Sequence, residues 1–173
     1  MGGAVKDDPS LGAAVIDQAR RRLVHGFPDQ VRACLDRLDD GQVWWRPHAD
    51  SNAVGNLVLH VCGSSRHFLG RVVGGTGYER DRKAEFAQRG PIARADLLRV
   101  LDETVAETDG ILGGLDPARL LEVREVPRDS PQSVLALVLR ITHHWAVHTG
   151  QIAYATKLLT EGSLDELWMK TMR

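Results

Sequence analysis

Apolar residues recur at three- and four-residue steps over four long stretches of this chain, and segments rich in Gly, Pro and Asp separate them. That period is helical, and four amphipathic segments of this kind predict an all-α, four-helix bundle. The first stretch, from about Leu11 to Leu38, carries Val15, Ala19, Leu23, Phe27, Val31, Leu35 and Leu38 inward, and Pro28 after Gly26 predicts a kink or interruption. The second begins after Ser51 or Asn52, either suited to accept the orphan amide bonds of a helix start, and packs through Val54, Leu57, Val58, Val61, Phe68, Leu69 and Val72. The third, from about Arg94 to Leu112, buries Leu97, Leu98, Leu101, Val105 and Leu112 and stops at Gly113-Gly114. The fourth opens with Ser130 as cap and Pro131 in the first helical position and runs to about Leu159. Its inward stripe reads Val134, Leu137, Ile141, His144, His148, Ile152 and Ala155, and a short amphipathic tail from Leu164 to Met169 is expected to cap the bundle.

A length of 173 residues fits one domain spanning 1–173, with a short C-terminal extension of about 161–173. The hydrophobic fraction of 43%, the charged fraction of 26% and the net charge of −1 are those of an ordinary globular protein, with no basic excess for nucleic acid. No apolar run approaches the roughly 20 residues of a membrane span. Met1 to Asp8 lack the plan of a signal peptide, so a cytoplasmic protein without membrane contact is expected. Cys34 and Cys62 fall in apolar helical stretches without Cys-x-x-Cys spacing and read as buried thiols.

Two residues interrupt the apolar stripe of the fourth segment. His144 and His148 lie one turn apart on one face, close enough for two nitrogens to share an ion, and a polar ring turned toward a core must be hydrogen-bonded or bound to something. His60 occupies an apolar stretch of the second segment, and facing helices of a bundle can bring three imidazoles to one metal. The alternative is three unrelated imidazoles, each satisfied by a neighbouring carbonyl or carboxylate. Cys62 points to nearly the opposite side of the helix from His60 and is a poor fourth ligand. His143 must point about 100° away from His144 and reads as a rim residue or a hydrogen-bonder at the core edge. His67 lies two turns from His60, too far for the same ion, and is placed at a pocket mouth.

Three stretches carry a family resemblance: Asn52-Ala53-Val54-Gly55-Asn56-Leu57-Val58-Leu59-His60, Arg80-Asp81-Arg82-Lys83-Ala84-Glu85-Phe86, and His144-Trp145-Ala146-Val147-His148-Thr149-Gly150-Gln151-Ile152. In order and separation they resemble the DinB-like superfamily, with Trp45-Arg46-Pro47 as a weaker supporting match. The resemblance implies an up-down-down-up bundle, often a homodimer, with a divalent metal held by His60, His144 and His148. Some members are thiol S-transferases or thiol-dependent isomerases, which implies a small thiol and a small electrophile as partners.

Three imidazoles without a carboxylate or thiolate leave a Zn²⁺-like ion its full charge and its open positions, so that a coordinated thiol becomes a thiolate near neutral pH. The expected function is therefore metal-dependent S-transfer of mycothiol, ergothioneine, bacillithiol or glutathione to an electrophile, a detoxification chemistry. Zn²⁺ is the expected ion, and Ni²⁺, Co²⁺ and Fe²⁺ suit the same donors. The alternatives are a hydrolase or isomerase using metal-bound water and a non-catalytic metal-binding stress-response protein.

Around the histidines, Asn56 reads as a substrate contact or as a helix-to-loop bond, and Gln151 as an orienting partner of His148 or a packing residue. Arg80, Arg82 and Glu85 read as a solvated charge run or as a substrate-binding group whose arginines hold a substrate carboxylate, and the resemblance favours the second. Trp44, Trp45 and Trp145 either sit in the core or wall an apolar pocket.

Overall fold

Two of the four predicted helices form as uninterrupted rods, and the other two each change winding part-way. The computed structural model describes residues 9–160 and Leu164. The extension and tail expected at 161–173 lie outside the described residues except for Leu164, which is fully buried.

The first helix consists of α1 (Pro9–Arg20), a π-helical segment Arg21–Gly26 and α2 (Phe27–Leu35). The expected break at Pro28 is a widened turn instead. The Phe27 amide reaches five residues back to the Arg22 carbonyl, so the turn ahead of the proline is one residue larger and the chain passes the missing donor without stopping.

A single turn, α3 (Asp40–Val43), follows, with Asp39 and Gln42 exchanging side-chain and backbone hydrogen bonds of 2.8 and 3.0 Å. The second long helix is α4 (Val54–Ser65), continued by a π segment Arg66–Val73. Neither Ser51 nor Asn52 caps it, contrary to expectation: the capping position is Ala53, and its amide donates to Asn56 Oδ1 at 3.1 Å. A side chain inside the first turn thus satisfies the orphan amide that an outside cap would have served.

The Gly-rich connection after the second helix carries α5 (Arg82–Ala87), started by Asp81, whose carboxylate accepts the Ala84 amide at 3.0 Å. Next come α6 (Arg94–Gly113), with bounds close to those expected, and a 3-10 turn Pro117–Leu121. A two-residue antiparallel ladder then pairs β1 (Val123–Arg124) with β2 (Gln132–Ser133). The ladder displaces the start of the last helix. α7 (Val134–Thr160) begins beyond Ser130-Pro131, and Ser133 Oγ accepts the Ala136 amide at 3.2 Å in the capping role assigned to Ser130.

Contacts between helices fix their directions. Arg20 meets Asp109 and Arg32 meets Asp102, so the first helix and α6 run antiparallel. Arg66 meets Glu107 and Cys62 meets Thr104, so the second helix and α6 run parallel. Ser65 meets Trp145 and Phe68 meets Arg140, so the second helix opposes α7. Cys34 meets Thr156 near the far ends of the first helix and α7, which run together. The bundle is up-down-down-up.

One cluster of buried apolar residues draws on all four helices. Its largest member is Trp145, 2% exposed, whose indole N–H donates to the buried Ser65 Oγ at 2.7 Å. This contact sets the rotation of α7. At about 100° per residue, an inward Trp145 turns His144 and His148 together onto the flank that faces α4.

Candidate metal centre

His60 arrives from the middle of α4, while His144 and His148 occupy one flank of α7. Their ring centroids are 4.8 Å apart for His60 and His144, 5.0 Å for His60 and His148, and 4.4 Å for His144 and His148. One ligand nitrogen from each lies within 4.8 Å of the other two, a spacing that admits a single ion between them.

The free nitrogens are identifiable from their neighbours. His60 Nδ1 donates to Glu85 Oε2 at 2.8 Å, and His148 Nδ1 donates to Gln151 Oε1 at 2.7 Å, so each ring presents Nε2 to the cluster. Arg80 Nη2 also lies 3.1 Å from His60 Nδ1, but its hydrogens go to Glu85 Oε2 at 2.8 Å and to the His60 carbonyl at 3.4 Å. The Nε2 of His144 is buried without any hydrogen-bond partner. An orphaned ring nitrogen beside two other free imidazole nitrogens is what a divalent ion would satisfy, so the donor set fits a metal.

Electrostatics favour the ligating form. Burial, then the neighbouring His148, His60 and arginines, push the His144 imidazole down to about 3. Burial also lowers His148, against a raising hydrogen bond from Gln151. Both rings are therefore neutral at physiological pH and need release no proton to bind metal. The sign for the metal-free protein follows. Below about pH 6.5, histidines of the unfolded chain protonate while His144 stays neutral down to about 3 and His148 protonates only below the ordinary value, so stability falls as the solution is acidified from about pH 6.5. Urea midpoints of metal-free protein at several pH values check this, and a flat profile there would contradict it.

The His60 ring is held from behind. Arg80 grips Glu85 with two parallel bonds, Nε to Oε1 at 2.7 Å and Nη2 to Oε2 at 2.8 Å, with both side chains nearly buried. Burial raises the Glu85 carboxyl, but the hydrogen bonds from His60 and Arg80 outweigh it and hold the group below the usual carboxylate range. The carboxylate fits only because residue 63 has no side chain: a Cβ on Gly63 would stand 2.2 Å from Glu85 Oε1. Phe86 covers the other side of His60, with ring centroids 4.5 Å apart.

Asn56 belongs to the same support. It is wholly buried and donates to the Glu85 and Gln88 carbonyls at 2.8 and 3.0 Å, while Arg46 donates to Asn56 Oδ1 at 2.5 Å and to the Gln88 carbonyl at 2.8 Å. The carbonyl anchors hold α5 over α4 and so place Glu85.

Of the five residues expected to touch substrate, Asn56, Arg80 and Glu85 have their polar atoms engaged within the fold, and Gln151 orients His148. Arg82 remains exposed, its guanidinium 4.9 Å over the Phe86 ring. The three described tryptophans do not wall the site: Trp145 is core, Trp44 donates to the Ile92 carbonyl at 2.9 Å, and Trp45 is exposed. Cys62 is buried and pushed up to about 12 by desolvation, which makes it inert as a ligand.

A cleft of about 1030 Å³ opens onto His60 and His144, with His67 and His143 among its lining residues, and it is bordered by the 79–83 connection and the 127–129 turn. Sequence reasoning missed Gly63 and Arg128, another lining residue. Gly63 had a legible signal, since glycine inside a helix costs about 1 kcal/mol relative to alanine and survives where something approaches closely.

Residues 24–152 match the family model described as the DinB superfamily. The chain belongs to the DinB superfamily. Among solved structures it resembles a DinB-like protein from Bacillus subtilis, with 16% identity over 85% of this chain and 95% of that one and a TM-score of 0.65. A DinB-like protein from Bacillus cereus gives 13% identity, 78% and 86% coverage and a TM-score of 0.63. A conserved protein from Enterococcus faecalis gives 14%, 93%, 100% and 0.59. At these identities the likeness concerns the superfamily fold. No curated protein matches the chain. Among the described residues no helix is long and apolar enough to cross a membrane.

Proposed function

We propose that this protein transfers a low-molecular-weight thiol to an electrophile at a divalent metal held by His60, His144 and His148. The observation that carries the reading is the donor set: three clustered imidazoles, two of which, His60 and His144, line an open cleft, with Glu85 turned to His60 Nδ1 rather than into the cluster. A divalent ion in such a set supplies an undiminished double charge, enough to keep a thiol ionised near neutral pH, where only the thiolate attacks carbon electrophiles.

The chain's own residues prepare that chemistry. Glu85 and Arg80 fix the His60 ring, Gln151 fixes His148, and burial keeps His144 neutral. Arg82, at the cleft margin, is the residue of the expected set left to meet substrate. Zn²⁺ is the ion we assign, with Ni²⁺, Co²⁺ and Fe²⁺ compatible with the same nitrogens. The cytoplasm, where small thiols are kept reduced, is the compartment that suits the reaction. A second copy of the chain is the protein partner we propose. Leu139, Val147, Tyr154 and Leu158 are exposed on one face of α7, and light scattering tests whether they are covered in a homodimer.

The decisive experiment follows consumption of a haloalkyl bimane by zinc-loaded protein with glutathione, mycothiol, bacillithiol, ergothioneine or cysteine, beside a control without thiol. Turnover with one thiol, abolished in His148→Ala, is the expected result. Turnover in the thiol-free control would replace the reading with hydrolysis or isomerisation. Metal binding unaffected by every thiol, without turnover, would leave a binding protein.

A further inference from the structure

The mouth of the cleft carries more positive charge than its own carboxylates neutralise. Six cationic side chains of the described residues line it, and three are already paired: Arg71 with Glu79, Arg80 with Glu85 and Arg140 with Asp129. Arg82, Lys83 and Arg128 have no carboxylate partner among the described residues. Asp81, the remaining acid in the lining, accepts the Ala84 amide as the cap of α5.

Arg128 is held there against its own backbone preference. It has φ 64°, the left-handed region that glycine enters freely and a residue with a Cβ resists. It follows Pro127 in a turn closed by the Asp129 amide on the Val126 carbonyl at 3.0 Å. The turn is tied down on its far side. The Asp129 carboxylate accepts from the Ser130 amide at 2.8 Å, Gln132 Nε2 at 3.2 Å and Arg140 Nη1 at 2.7 Å, and the Arg140 guanidinium lies 4.1 Å over the Phe68 ring. The second long helix, through Phe68, and α7, through Arg140, thus brace a turn that brings an arginine without a carboxylate partner among the described residues to one bank of the cleft, while Arg82 and Lys83 line it from the 79–83 connection. A strained residue maintained by its surroundings, at the mouth of a site, points to use.

We propose that Arg128, together with Arg82 and Lys83, binds a carboxylate or phosphate of the substrate, remote from the atom that reacts beside the histidines. The substrate class is then a small acidic molecule, anchored at its anionic end by guanidinium donors. A cleft of about 1030 Å³ has room for such a molecule and a thiol together. This rests on the cleft being the substrate entrance of the proposed reaction, yet it is tested without thiol or turnover, so either idea can fail alone.

Calorimetric titration of the zinc-loaded protein with succinate, ethylphosphonate and neutral succinamide provides the test. One or both acids should bind, more weakly at high salt, and succinamide should not. Arg128→Gly should weaken the acid by about tenfold or more, the effect of losing a charge-assisted contact, while its thermal midpoint stays level or rises because glycine is at ease at this φ. Carboxylate and phosphonate arms rank the two anion chemistries. Binding should persist in metal-free His148→Ala. Failure of both acids to bind, equal binding of succinamide, or an affinity unchanged in Arg128→Gly would overturn the proposal. So would binding that disappears with the metal, because the acid would then be a ligand of the ion alone.

Discussion

Wild-type protein should purify with close to one divalent ion per chain, and His148→Ala without it. The ion would rest on three nitrogens from two helices, and the substitution removes one of the pair contributed by α7. Structural zinc sites with four ligands bind with apparent energies of about 10–16 kcal/mol, so one ligand accounts for roughly 3 kcal/mol, or more than a hundredfold in affinity. The fold should tolerate the change, because His148 is only half-buried on the flank of α7 and the adjacent core is anchored by Trp145 and Ile152. Metal content by elemental analysis and helicity by circular dichroism separate the two effects. Metal retained at the wild-type level in a folded variant would refute the site.

Glu85→Gln should damage stability and metal affinity together. Arg80 has a side chain only 11% exposed and would lose the carboxylate that neutralises it. Breaking a buried pair by removing one partner costs about 3–5 kcal/mol. The amide can still occupy the space beside Gly63, but it gives His60 a weaker acceptor, and loss of such a carboxylate behind a ligating histidine lowers metal affinity by about 10–100-fold. Gly63→Ala should shift metal affinity in the same direction with every charge intact, because its Cβ takes the place of Glu85 Oε1. Urea denaturation reports the first effect and competitive zinc titration the second. A Glu85→Gln protein with wild-type stability and wild-type zinc affinity would show that the carboxylate does not position His60.

Much of the site's chemistry is visible in the linear chain, but the roles are not. The i, i+4 pair His144 and His148 states its own geometry, and the order of motifs places His60 opposite it. Asn56, Arg80 and Glu85 also stand out, yet as substrate contacts. They differ from surface residues only in what surrounds them, and burial by α4 and α5 turns a charge run into a buried clamp. Both helix caps read from Ser51-Asn52 and Ser130-Pro131 fail for one reason. Local capping signals compete with partners that come from elsewhere, Asn56 in one case and the β1–β2 ladder in the other.

Sequence by itself determined the number of long helices, their apolar faces, the bounds of α6 and the three histidines, because helical period and ligand chemistry are local properties of residue type and spacing. Tertiary structure decided which imidazole nitrogen His60 and His148 offer, that Arg80 and Glu85 serve His60, and that Arg128 lines the cleft with no carboxylate partner among the described residues. Those facts depend on through-space distances between residues as far as 88 positions apart, as with His60 and His148. Packing alone fixes such distances, since a rotation of α7 by one residue would turn His144 and His148 by about 100° away from His60.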